Sequence, residues 1–219
     1  MRAAGPVLVF DMDGVLFDTE AVKQRAFVDA FGPVCRDDAG LLDQVRDYNS
    51  ANRGVPRDAK ISHLLAVIPW AAPGDHDLVA GRYRDLLAVR LPDCPPVPGV
   101  SEFLSAVPAT RYIASSAPEY EIRQNTARHG IDGAFAAIFG HPWTKAGALR
   151  EISGRHQGAA VIFFGDAPAD LAAAREAGTR FAAVNPSPAL ASQVPEFFGD
   201  FTVIDRQVIA RLAGCAGTG

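Results

Sequence analysis

The chain has 219 residues, 48% of them hydrophobic, with 21 Lys and Arg against 25 Asp and Glu and a net charge of −4. At roughly 100–200 residues per domain that is one large domain or two small ones, with a core that needs no disulfide or metal staple. An acidic balance without a Lys/Arg run excludes nucleic acid and anionic membranes as expected partners, and no apolar stretch approaches the ~18–20 residues that span a bilayer.

The first element is the apolar run Pro6 to Phe10, which suits a strand buried on both faces of a parallel sheet and ends abruptly at Asp11. A βαβ unit takes ~30 residues, and the stretch from Asp11 to the next strand at Arg111 is about three times that, so something is inserted. From Asp18 to about Pro96 the pattern is helical. Helices are expected over Ala21 to Phe31, ended by Gly32 and Pro33, over Ala59 to Ile68, ended by Pro69, and over Asp77 to Val89. The Pro-rich run Leu91 to Gly99 reads as a stiff linker.

The second strand, Arg111 to Ala114, runs into Ser115 and Ser116, and a helix follows from Pro118 to His129, closed by Gly130. A further strand, Ala160 to Phe164, runs into Gly165 and Asp166 and is followed by a helix from Pro168 to Ala177, closed by Gly178. Phe181 to Val184 and Phe201 to Ile204 are weaker strand candidates. Alternating strand and helix predicts an α/β fold: a Rossmann-like, mainly parallel sheet over residues 1–17 and 97–219, with a small all-α cap domain inserted over 18–96.

Ligands of such sheets bind beyond the carboxyl ends of the strands, where Asp11, Ser115 and Asp166 fall. Asp11 and Asp13, two residues apart before Gly14, offer hard oxygen ligands of the kind Mg²⁺ prefers, and a plain Asp-Gly turn is the competing account. Ser116 and Glu119 have capping-box spacing at a helix start whose N–H groups and dipole suit a phosphate, with Ser115 as one more donor. Asp166 and Asp170 stand across another helix start, where acid is favourable in any case, and Lys145, in the loop before the next helix, neutralises charge gathered there.

Phe10 to Asp18, the Ala114-Ser115-Ser116 step, Lys145 and the run Gly165 to Asp170 resemble, in order and spacing, the four motifs of the haloacid dehalogenase superfamily. The resemblance covers residues 7 to about 185, and the helical insert falls where capped members carry theirs. It implies that Asp11 is a nucleophile forming an aspartyl-phosphate and Asp13 the general acid and base. Ser115 would bind the phosphoryl group with Gly14 and Ser116 beside it, and Lys145 would hold Asp11 and phosphate in register. Asp11, Asp166 and the Asp13 carbonyl would ligate Mg²⁺, with Asp170 completing the acidic set from behind.

Within the insert, Arg53, Arg57 and Lys60 sit near a helix N-terminus, where basic side chains oppose the dipole and an anionic substrate would explain them. The segment is similar to the specificity loop of sugar-phosphate enzymes of the same superfamily. Where mutases of that group place a histidine in the first cap helix, Lys23 stands here, which argues against mutase activity. His141 and Trp143, just before Lys145, border the pocket in this reading, with a surface position as the alternative.

The expected protein is a cytoplasmic Mg²⁺-dependent phosphatase of a small phosphorylated metabolite such as a sugar phosphate, a monomer or homodimer. The rivals are a phosphomutase, a phosphonate hydrolase using Lys23 or Lys60, and a catalytically silent binding protein. Cys35, Cys94 and Cys215, odd in number and far apart, fit neither a disulfide framework nor a zinc site.

Overall fold

A computed structural model of the protein describes residues 5–52, 55–91 and 94–214. The apolar runs form parallel strands: β1 (Val7–Phe10), β2 (Thr110–Pro118), β3 (Ala137–His141), β4 (Val161–Gly165), β5 (Arg180–Val184) and β6 (Phe197–Phe198). They make one six-stranded sheet in the order β3-β2-β1-β4-β5-β6, parallel throughout. The order reverses beside β1, and crevices at such switch points are where doubly wound sheets bind ligands.

Period-two alternation splits β1 between two layers. Val7 and Val9 pack with Ala146, Leu149 and Ile152 of α7 (Lys145–Arg155) and with Ala173 and Ala174 of α8 (Pro168–Ala177). Leu8 and Phe10 face the other layer, with Val100 and Phe103 of α5 (Val100–Ala106), Ile122 of α6 (Glu119–Arg128) and Ile209 of the helix Arg206–Leu212. Phe10 lies flat on Phe164, centroids 5.0 Å apart, with Phe103 and Phe201 around the pair. Packing on both faces fixes the strand and leaves its carboxyl end as the place for polar groups.

The chain divides into two compact units at Asp18/Thr19 and Cys94/Pro95. Within the sheet unit, the segments leading into and out of the insert pair with each other: Val97 N–H donates to the Leu16 carbonyl (3.0 Å), and Asp18 N–H to that of Pro95 (3.0 Å). The inserted unit, among its described residues, contains α1 (Glu20–Cys35), α2 (Ala39–Ala51), α3 (Arg57–Leu65) and α4 (Asp75–Arg90), around a core that includes Phe27, Phe31, Ile61, Val79 and Leu87.

Several boundaries differ from the sequence expectation. Helix α1 does not stop at Gly32 and Pro33; it continues to Cys35, because Phe31, Val34 and Cys35 extend its buried face. Arg36 ends it in the left-handed region (φ 53), with the Asp37 N–H returning to the Gly32 carbonyl (3.0 Å). Helix α3 stops at Leu65, three residues before Ile68. Helix α2, not foreseen, starts where Asp38 accepts the Leu41 N–H (2.9 Å).

Phe201 to Ile204 is no strand: Asp200 accepts the Thr202 N–H (2.8 Å), starting a 3₁₀ turn over Phe201–Val203 that drives Phe201 into the aromatic cluster. The sheet takes Phe197–Phe198 in its place and gains β3 as an edge strand.

Candidate active site

The end of β1 is held from both sides. Asp11 N–H donates to the Phe164 carbonyl of β4 (2.9 Å), so the main chain at Asp11 is still part of the sheet. Beyond it the chain folds back: Leu16 and Phe17 N–H both donate to the Met12 carbonyl, and Gly14 N–H to that of Phe17 (2.8 Å). Gly14 adopts φ +76, which an L side chain resists. Asp11 is 4% exposed, with its Oδ1 accepting the Met12 N–H at 2.7 Å, and Asp13 in the turn is half-buried.

The end of β4 supplies the second pair of carboxylates. Asp170 Oδ2 accepts the N–H groups of Asp166 (3.2 Å) and Ala167 (3.1 Å), fixing the step from strand into α8. The contact depends on Gly165, since a Cβ there would collide with the Asp170 side chain. Gly14 plays the same part for Asp166: a Cβ on it would stand 2.5 Å from Asp166 Oδ2. Two glycines thus clear space for two carboxylates.

Lys145 ties the strand ends together. It is the first residue of α7, not a loop residue, because Thr144 caps the helix by accepting the Gly147 N–H (3.0 Å). Its Nζ donates to Asp11 Oδ2 at 2.7 Å and to Asp170 Oδ1 at 2.5 Å, with the lysine side chain 11% exposed. Burial by itself would favour the neutral amine, but the charges of Asp11 and Asp170 and the hydrogen bonds to them outweigh it, holding the ammonium well above its ordinary pKa. Burial is the largest influence on Asp11 and pushes its carboxyl up to about 6, against the pull of Lys145, with Asp170 and Asp13 adding to the rise.

Carboxylate oxygens of Asp11, Asp166 and Asp170 lie within 4.8 Å of one another. All are hard donors, with no sulfur or imidazole among them, and the space that Gly14 leaves admits Asp166 to the group; this donor set fits Mg²⁺. Asp11 and Asp170 each accept hydrogen bonds on both oxygens, Asp11 from the Met12 N–H and Lys145, and Asp170 from Lys145 and two main-chain N–H groups, so Asp170 is the more committed of the two.

Ser115 is 2% exposed, one residue past Ala114, on the strand beside β1, and its Oγ accepts the Ala117 N–H at 3.3 Å. The capping box expected at Ser116 does not form. β2 continues to Pro118, α6 begins only at Glu119, and Ser116 is an exposed strand residue. β2 pairs with β3 up to Ala114 against Phe139 and again at Pro118 against His141, with a register shift between them, and Gly140 allows the Glu119 main chain to lie against it. His141 therefore ends a strand, and Trp143 sits 45% exposed with its ring edge-on to Phe139 (5.2 Å).

In the helical unit, Arg57 starts α3 as expected but has an aromatic partner, its guanidinium 4.8 Å from the Tyr83 ring centroid. Lys60 Nζ donates to Asn49 Oδ1 (2.6 Å) and lies 5.1 Å from the Phe27 ring centroid. Asn49 in turn donates to Gln24 (2.7 Å), and Gln24 to Glu20 (2.8 Å). Burial pushes the Lys60 amine down to about 8; Glu20 opposes that, and Lys23 and Arg57 reinforce it. Arg53 lies outside the described residues.

The sequence reading missed Asn185 and Ser187, in the loop after β5. Asn185 Nδ2 donates to the Gly14 carbonyl (3.3 Å), and Ser187 N–H to the Asp166 carbonyl (2.8 Å). The only signal for them was position: a polar step straight after an apolar strand.

A family model described as haloacid dehalogenase-like hydrolase matches residues 6–178, from the start of β1 to the glycine that closes α8. The chain belongs to this family. Solved structures of similar fold include three with high coverage. A haloacid dehalogenase-like hydrolase from Bacteroides fragilis has TM-score 0.73 and 17% identity, over 90% of this chain and 99% of that one. A protein described as a predicted phosphoglycolate phosphatase from Haemophilus somnus has TM-score 0.71 and 18% identity, over 92% and 96%. A protein described as a beta-phosphoglucomutase from Thermotoga maritima has TM-score 0.65 and 19% identity, over 96% and 100%. At these identities the likeness is one of fold. No curated protein sequence matches the chain. Among the described residues, no helix of this hydrolase is long and apolar enough to cross a membrane.

Proposed function

We propose that this haloacid dehalogenase-like hydrolase is a Mg²⁺-dependent phosphatase that hydrolyses a small phosphorylated metabolite, with sugar phosphates as the first class to test. The observation that carries the reading is Lys145 bridging Asp11 and Asp170 at the end of the sheet, with Asp166 alongside. A buried lysine held charged between carboxylates is placed to neutralise a phosphoryl oxygen, and the names of the neighbouring structures, two of them phosphate-ester enzymes, agree with that chemistry.

Asp11 attacks phosphorus through a carboxylate oxygen, and the bond to the leaving oxygen breaks as Asp13 gives that oxygen a proton. Asp13 then takes a proton from water, which attacks the aspartyl-phosphate and frees phosphate and Asp11. Lys145 and the Ser115 hydroxyl hold phosphoryl oxygens throughout. Asp11, Asp166 and the Asp13 carbonyl would hold Mg²⁺, which would supply charge neutralisation at the phosphoryl group.

The test is phosphate release from a panel of sugar phosphates and other small phosphoesters, with and without Mg²⁺, for wild type and Asp11→Asn. Release by wild type alone, and only with Mg²⁺, is the expected result. An isomerised sugar phosphate without free phosphate overturns the hydrolase reading in favour of a mutase.

A further inference from the structure

We propose that Asn185 is a positioning residue of the acidic site: its side-chain amide pins the Gly14 peptide, and with it the Asp11–Gly14 turn, to the loop that also holds Asp166. The inference rests on the reading of that turn as a metal-dependent phosphate site. It concerns a residue outside the nucleophile, lysine and acidic set.

Asn185 follows β5 directly, and its main chain is in the left-handed region, φ +46, a conformation asparagine adopts more readily than most side chains. Its own N–H is taken by the Phe198 carbonyl of β6 (2.8 Å), so the residue is anchored to the sheet and its side chain is the part left to reach outward. That side chain donates to the Gly14 carbonyl. Two residues on, Ser187 N–H donates to the Asp166 carbonyl, and Ser187 starts a short helix by accepting the Leu190 N–H. One three-residue step is therefore bonded to the turn after β1 and to the end of β4.

Those two segments lie close against each other. A Cβ on Gly14 would fall 2.5 Å from Asp166 Oδ2, so a shift of a few tenths of an ångström between turn and carboxylate changes how Asp11, Asp166 and the Asp13 carbonyl converge. Gly14 has no side chain to restrict its torsions. Its N–H is held from within the turn, by Phe17, whereas its carbonyl is held from outside, by Asn185.

Asn185→Gly removes the donor and leaves the left-handed conformation open, so the urea midpoint is expected to fall only slightly, by no more than the loss of that bond and the freer glycine main chain accounts for. The expected results are faster hydrogen exchange at the Gly14, Leu16 and Phe17 amides, with those of α7 unchanged, and a weaker calorimetric Mg²⁺ affinity. A neutral hydrogen bond corresponds to a change of about 3- to 10-fold in each. Phosphate release should show lower kcat at fixed Mg²⁺ with KM for the ester little altered.

Unchanged exchange at the turn amides in Asn185→Gly overturns the proposal. So does an effect seen only in Asn185→Ala, since that variant strains the main chain and would point to conformation alone. Absence of Mg²⁺ binding by wild type sinks the phosphatase reading separately, and the exchange at the turn still decides the role of Asn185.

Discussion

Asp170 Oδ1 and Lys145 Nζ meet at 2.5 Å with the Asp170 side chain wholly buried, so the lysine that reaches Asp11 is steered by a carboxylate that faces no solvent. The other Asp170 oxygen holds the main chain at Asp166 and Ala167, which makes one side chain the joint between α7, α8 and the end of β4.

Asp170→Ala therefore breaks a buried ion pair and strands two N–H groups. The expected loss is ~3–5 kcal/mol of stability, read from urea denaturation. Asp170→Asn keeps an acceptor and should lose less. Both should reduce Mg²⁺-dependent phosphate release by roughly 10- to 100-fold, the scale for residues that orient a metal ligand. Full activity in Asp170→Ala would show that Lys145 needs no second carboxylate.

Gly14→Ala tests the cleared space directly. The new methyl meets Asp166 Oδ2 at 2.5 Å, and φ +76 is unfavourable for alanine, so the turn or the carboxylate must move. A stability loss of about 1–2 kcal/mol comes from the backbone conformation. Mg²⁺ affinity should fall by far more than that loss implies. Wild-type Mg²⁺ binding in calorimetry would contradict the geometry.

Asp11 makes the metal-free protein pH-sensitive. Its carboxyl is raised from 3.8 to about 6, chiefly by burial, so between those values the folded chain keeps a proton that the unfolded chain has lost. This contribution to stability is fully present below about pH 4 and declines as pH rises through 6. Urea denaturation without metal should show wild type losing stability relative to Asp11→Asn across that interval. A constant difference between the two proteins would refute the assignment. Since the nucleophile must be ionised, activity at limiting Mg²⁺ should fall on the acid side near the same pH, and saturating Mg²⁺ should move that limb lower.

The strand ends of the site were legible because apolar runs stop at charged residues, Phe10 at Asp11 and Phe164, through Gly165, at Asp166. Gly178 marked the end of α8 because its left-handed conformation (φ 68) is local. Ser116 misled for the opposite reason. Its capping spacing is a local preference, and the continuation of β2 to Pro118, where it meets His141 of β3 again, overrides it. β3 itself is short and lies at the sheet edge, and only Phe139 and Gly140 of it are buried, so it carries no continuous apolar signal. Arg57 looked unfavourable beside a helix start because its compensation, the Tyr83 ring, lies on another helix. Asn185 was invisible because its whole significance is a contact with Gly14, 171 residues away.

Lys60 gives the helical unit a pH dependence of opposite sign. Its amine is lowered from 10.5 to about 8, mainly by burial, so between those values the folded chain has shed a proton that the unfolded chain still carries. Stability from this group is therefore present above pH 10.5 and is lost as pH falls through 8. Lys60→Met fits the apolar surroundings of Phe27 but leaves Asn49 Oδ1, on a residue 3% exposed, without its lysine donor, so its stability differs from wild type at every pH. The informative quantity is how that difference changes. Urea denaturation at pH 7.5 and pH 10 should show wild type gaining on Lys60→Met as pH rises, because only wild type is relieved of a buried charge. A difference that stays flat, or shrinks, would mean that Lys60 titrates as an ordinary exposed lysine and that its bond to Asn49 carries no cost of burial.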